Sequence, residues 1–137
     1  MKKIISPLLL TVSLVFANNI DVKISNISNQ TGQISIGLYN KNDDTFTSMS
    51  KYYKAVNLDI KDTNISYIFK NIPKGVYAIS VVHDENKNNI LDTNFFGIPN
   101  EGYGFSNNII PSFRAATFEE SKFEIQTDKE IFIKLAY

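Results

Sequence analysis

The chain has 137 residues, no cysteine, and fourteen basic residues against fourteen acidic ones. Without cysteine there is no disulfide framework and no thiol nucleophile, so stability must come from apolar burial, helped at most by a bound ion. Balanced charge leaves no basic surface for nucleic acid or anionic lipid.

Met1-Lys2-Lys3 supplies a positive start, and Ile4 to Phe16 forms a nearly uncharged run that ends in Val15-Phe16-Ala17. This is the three-part pattern of a secretory signal peptide, too short to span a bilayer and interrupted early by Pro7. Residues 1–17 are therefore expected to be a leader removed near Ala17. The mature chain, residues 18–137, is expected to be periplasmic or secreted, with no transmembrane segment. No Cys follows the cleavage site to carry a lipid. Loss of Lys2 and Lys3 leaves the mature part near −2, and its length of about 120 residues suits one domain with one core.

Ile20, Val22 and Ile24 alternate with polar residues, and Ile34, Ile36 and Leu38 alternate again after a turn-like stretch ending at Gly32. Period two on both sides of a glycine turn predicts a hairpin. Residues 40–50 are polar apart from Phe46. Val56, Leu58 and Ile60 form a third alternating run, and Ile65, Tyr67 and Phe69 a fourth. Ile72-Pro73-Lys74-Gly75 reads as a turn because proline presets φ and glycine accepts φ above zero. The nearly continuous apolar run from Val76 to Val82 is the predicted central strand. Phe118, Phe123 and Ile125 mark a sixth strand, and Ile131, Ile133 and Leu135 a seventh. These segments predict an all-β domain, a seven-stranded antiparallel β-sandwich, with a small barrel as the other arrangement. Residues 84–116 form a long ordered loop between strands five and six. Loops of that length within a compact domain tend to be functional.

That loop holds the candidate site. Asp84, Asn86, Asn88 and Asp92 stand at offsets one, three, five and nine of a calcium loop, and the Ile90 carbonyl stands at seven. Position six, usually glycine, is Asn89, which tolerates the left-handed conformation. The bidentate acid of position twelve is missing, because Phe95 is there. Glu101 or another distant carboxylate would have to join. Without an ion the same residues make an Asx-rich turn. The aromatic and glycine-rich stretch that follows, Phe95, Phe96, Tyr103 and Phe105 with Asn107 and Asn108, either presents a surface for an envelope protein or glycan or folds back over the end of the sandwich.

His83 is the sole histidine. With Asp84 it supports an alternative reading as an envelope hydrolase. No Gly-x-Ser-x-Gly elbow and no His-Glu-x-x-His zinc motif accompanies it, so no catalytic residue is assigned and the chain is read as a non-enzyme. Asp62-Thr63-Asn64-Ile65-Ser66 contains an Asn-x-Ser sequon with an acid two residues before the asparagine, similar to the acceptor of some bacterial glycan transferases. It reads equally as a polar turn.

The run Asn71-Ile72-Pro73-Lys74-Gly75-Val76-Tyr77-Ala78-Ile79-Ser80-Val81-Val82-His83-Asp84-Glu85-Asn86, with Leu91-Asp92-Thr93-Asn94, Gly97-Ile98-Pro99 and Glu101-Gly102-Tyr103-Gly104-Phe105-Ser106-Asn107-Asn108, resembles the bacterial exported family catalogued as domain of unknown function 2141. Pro111-Ser112-Phe113 and Ala116-Thr117-Phe118 are similar to the family's later segment. The resemblance covers essentially the whole mature chain, and the family usually carries glycine where Asn89 stands. It implies an exported, immunoglobulin-like or prealbumin-like sandwich with no established activity. Pro73-Lys74-Gly75-Val76-Tyr77 is also similar to the strand-entry turn of transthyretin-like domains, which are mostly binding or structural modules.

Overall fold

Alternation of apolar and polar side chains puts one face of a strand in the core and the other in water, and this pattern builds most of the molecule. In the computed structural model residues 17–137 are described; the expected leader lies, apart from Ala17, outside the described residues. The fold is all-β, with two sheets packed as an open sandwich. The strands are β1 (Asn18–Ser25), β2 (Gln33–Tyr39), β3 (Lys54–Asp59), β4 (Ile65–Ile72), β5 (Gly75–Asp84), β6 (Gly102–Phe105), β7 (Phe123–Ile125) and β8 (Lys129–Lys134). One sheet has the order β4-β1-β8; the other has the order β3-β2-β5-β6, with β7 also paired to β5.

The predicted seven strands become eight, because Gly102–Phe105 pairs with the second half of β5. Its glycines hid it. Gly102 and Gly104 interrupt the apolar pattern, yet they are what lets the strand lie there: a Cβ on Gly104 would come within 2.7 Å of Ile133 Cγ2, and one on Gly102 within 2.4 Å of the Tyr137 ring. Phe118 belongs to the short helix α1 (Phe118–Ser121) and not to a strand. Thr117 caps that helix, accepting from the Glu120 amide while the Glu120 carboxylate accepts from the Thr117 amide.

Two pairings differ from expectation. β1 and β2 form no hairpin, since they belong to opposite sheets, and their connection crosses the sandwich. The sheets are not wholly antiparallel either: β1 runs antiparallel to β4 but parallel to β8, with Val22 opposite Ile131 and Ile24 opposite Ile133. Period two fixes which side chains face inward. It carries no information on which strand lies alongside.

Between the sheets lies the main core, in which Ile20, Val22, Ile24, Ile34, Ile36, Ile79 and Ile133 are almost fully buried. Each such side chain contributes about 1.5 to 3 kcal/mol of transfer free energy. β5 is central, as predicted, and is buried on both faces from Tyr77 to Asp84. Its second face carries a smaller aromatic cluster, in which Phe46 packs edge-on against Tyr39 at 5.1 Å and Phe118 at 5.9 Å, with Phe105 alongside. The isolated aromatic of the polar 40–50 segment thus anchors that segment to the sheet. Among the described residues no helix is long and apolar enough to cross a membrane.

Candidate functional site

Asp84 ends β5 and starts the candidate loop. It is fully buried, and its carboxylate accepts from the backbone amides of Asn88 (3.1 Å) and Asn89 (2.8 Å) and from Gln33 Nε2 (2.9 Å). The chain can turn this tightly because Lys87 and Asn89 both adopt φ of 59°. Asn89 fills the left-handed position as its residue type allows. Its side-chain oxygen also accepts from Gln33 Nε2 at 3.1 Å and Asn57 Nδ2 at 3.2 Å, tying the loop to β2 and β3.

Inside the turn, Asn86 Oδ1 accepts from the Asn88 amide and Asn88 Oδ1 from the Ile90 amide, two consecutive Asx turns. The amide groups of Asn86 and Asn88 converge on the Asp92 carboxylate, at 2.7 Å and 3.0 Å. Glu101 reaches in from the far side of the long segment. It is 5% exposed, and its two oxygens accept from the Glu85 amide at 2.9 Å and the Asp92 amide at 3.0 Å, so one side chain clamps both ends of the turn. Glu101, the distant acid that the sequence offered for the missing position twelve, thus lies at the turn, with both oxygens taken up by backbone amides.

Three carboxylates, Asp84, Asp92 and Glu101, surround this turn, and among the described residues none of them forms an ion pair; the nearest loop cation, Lys87, sits 4.0 Å from Asp59 instead. Burying a carboxylate costs several kcal/mol unless hydrogen bonds or a cation offset it. Here backbone amides carry the load. No three His, Cys, Asp or Glu side chains among the described residues close on one point as a preformed metal cage. The convergent set is mixed, two amides and one carboxylate. The residue types are those that supply calcium with hard oxygens, but here the two amides turn Nδ2 toward Asp92 and Oδ1 toward backbone amides, so binding the ion would require both amides to turn over.

The aromatic stretch divides into two. Phe105 is buried and Tyr103 half-buried, packing edge-on at 6.0 Å over the β5 face. Phe95 and Phe96 do the opposite: they are 97% and 82% exposed, so they do not fold back over the sandwich. A small closed hairpin holds them out. Asn94 organises it, with its amide donating to the Ile98 carbonyl at 2.8 Å and its Oδ1 accepting from the Phe96 and Ile98 amides, while Gly97 takes φ of 77° at the tip. Phe113 is also 97% exposed. A cleft of about 290 Å³ is lined by Phe96, Ile98 and Pro99 together with Tyr103, Phe105 and Phe113.

The remaining residues expected on a binding surface are internal ties. His83 is fully buried; Nε2 faces the Thr31 carbonyl and Nδ1 the Tyr137 hydroxyl, each at 2.8 Å, so both ring nitrogens are engaged. Glu101 is the clamp already described. Asn107 and Asn108 have φ of 66° and 52°; Asn107 Nδ2 donates to the carbonyls of Glu120 and Lys122. The Asn108 amide lies along the outer edge of β8, donating to the Phe132 carbonyl at 3.0 Å and accepting from the Lys134 amide at 2.8 Å. Sequence reasoning did not single out Phe113, Asn94 or Gln33. Asn94 followed by Gly97 was the readable sign of the hairpin; Phe113 and Gln33 reach the site only through tertiary placement.

The fold and this site define a class: a two-sheet β-sandwich with a hydrogen-bonded cap that exposes aromatic side chains. Residues 22–132 match the family model described as an uncharacterized protein conserved in bacteria, domain of unknown function 2141, and the chain belongs to that family. No curated protein and no solved structure matches it.

Proposed function

We propose that this chain is an exported, non-enzymatic envelope module, a sandwich of the immunoglobulin-like or prealbumin-like kind. Its 84–101 loop is stiffened by calcium so that the Phe95, Phe96 and Phe113 face can bind a protein or glycan partner. The observation that carries this reading is the clamp itself: two buried carboxylates, Asp84 and Glu101, and the facing Asp92 hold one turn together with no cationic partner among the described residues. Asp84, Asn86, Asn88, Asp92 and Glu101, with the Ile90 carbonyl, would hold the ion, which would supply the positive charge that the turn lacks.

Aromatic side chains are seldom held this exposed on a rigid, internally bonded hairpin without a partner to cover them. The cleft beside them is near the lower size limit of small-ligand sites, about 300 Å³. Export is supported by the leader pattern of residues 1–17, a positive start, an apolar run and a small residue at the cleavage point. The engagement of both His83 nitrogens argues against the hydrolase reading, since a general base needs a free nitrogen within reach of a substrate proton.

Thermal unfolding in chelator and in about 5 mM calcium tests the loop. With a dissociation constant of about 0.1 to 1 mM, native-state binding adds about 1 to 2 kcal/mol, a rise of several degrees in the midpoint. Asp92→Ala is expected to abolish that rise. An unshifted midpoint in the unsubstituted protein would reduce the loop to an Asx turn.

A further inference from the structure

Three Asn-x-Ser/Thr sequons occur in the chain, at Asn26, Asn29 and Asn64. The structure brings them to the same end of the sandwich, where the Ile27 amide donates to the Thr63 carbonyl at 3.1 Å. They are not equivalent. Asn26 is held at φ of 67° with its amide nitrogen donated to the Leu135 carbonyl at 2.8 Å. Asn29 uses its carbonyl oxygen to accept from the Thr31 amide at 2.8 Å and its nitrogen to donate to Ser28 Oγ at 3.2 Å. The residue two before each is apolar, Ile24 and Ile27 respectively.

All three are exposed, and Asn64 differs in the acid that precedes it and in the longer contact of its amide nitrogen. It lies exposed in the turn leading into β4, and its amide nitrogen has one long contact, to the neighbouring Thr63 Oγ1 at 3.4 Å. Ser66, two residues on, is exposed and stands opposite Lys23 in the β4–β1 register. Asp62 supplies an exposed acid two residues before it, and neither flanking residue is proline. β4 is an edge strand, paired only to β1 on this sheet, so the acceptor segment is open along its other side.

We infer that Asn64 is an acceptor for N-linked glycan, delivered by a bacterial transferase that uses an oligosaccharide carried on a lipid pyrophosphate. Asn64 Nδ2 bonds to C1 of the first sugar as the C1–O bond to the pyrophosphate breaks; the lipid pyrophosphate leaves with the electron pair, and one amide proton passes to solvent. The inference rests on the export reading, because such transferases act on translocated chains. A glycan there would stand over an unpaired sheet edge bearing the half-exposed Ile68, a position where bulk hinders edge-to-edge association.

The test has two arms read by intact and peptide mass spectrometry. In vitro, the full chain is incubated with purified transferase and lipid-linked oligosaccharide beside a free peptide carrying the 62–66 sequence. One added glycan on the peptide containing Asn64 is expected, lost in Asn64→Gln and in Asp62→Ala and kept in Asn26→Gln. Modification of the free peptide but not of the folded chain, or a glycan retained in Asn64→Gln, overturns the inference. In cells carrying the transferase and its donor, a leader-cleaved chain bearing the glycan supports both readings. A leader-cleaved chain without it overturns this one. An uncleaved, unmodified chain that is still an acceptor in vitro leaves the site standing and removes the export reading.

Discussion

At the scale of single residues, the loop shows how a left-handed position can be filled by a residue other than glycine. Lys87 and Asn89 share the same left-handed φ of 59°, but the Asn89 side chain accepts hydrogen bonds from Gln33 and Asn57, whereas that of Lys87 makes an exposed pair with Asp59. A non-glycine residue in that conformation costs of order 1 kcal/mol. Lys87→Gly should therefore raise stability by about 0.5 kcal/mol or more, since its exposed 4.0 Å pair with Asp59 is worth little. Asn89→Gly should give no gain or a loss, because two amide donors lose their acceptor. Denaturant unfolding of the two variants checks the contrast. This residue-level picture was partly legible beforehand: the oxygen spacing from Asp84 to Asp92 located the turn. Glu101 entered only as one acid that could complete the set, because a clamp across sixteen residues is a tertiary fact.

At the scale of elements, short pieces are held by side chains that imitate backbone. The Asn108 amide donates to and accepts from β8 as a neighbouring strand would, and so blunts an edge. Helix α1, only four residues long, relies on its capping box and on a bidentate pair in which Arg114 meets both Glu120 oxygens at 2.8 Å. The Arg114 hydrogen bond, followed by the Thr117 amide, lowers the Glu120 pKa from 4.5 to about 2. Because the folded value is depressed, this contribution is complete above the unfolded pKa and disappears as pH falls from 4.5 toward 2. Unfolding midpoints across that window should fall more steeply for the unsubstituted chain than for Glu120→Gln, with the difference constant above about pH 5. β1 to β4 and β8 were readable because their core-facing positions alternate with the rest, and β5 because its apolar run is nearly continuous, as burial on both faces requires. β6 was not, since its glycines answer to Ile133 and Tyr137 across the sandwich, and Phe118 misled because a buried aromatic serves a helix as well as a strand.

At the scale of the whole molecule, two clusters share β5: the aliphatic core between the sheets and the aromatic cluster on the opposite face. That arrangement makes β5 a rigid base, and the 84–101 segment leaves directly from its end. All-β character and the central strand were visible in the sequence. Strand partners, the parallel β1–β8 pairing and the division of aromatics between core and solvent were not, since each depends on contacts far apart in the chain. Calcium binding at the clamped turn, as proposed, is tested by a titration of the isotope-labelled protein followed by amide chemical shifts. Saturable shifts confined to residues 84–92 and 101 are expected, with a dissociation constant of about 0.1 to 1 mM that weakens in Glu101→Gln. Shifts that do not saturate over that range, or that are unchanged by Glu101→Gln, would contradict it.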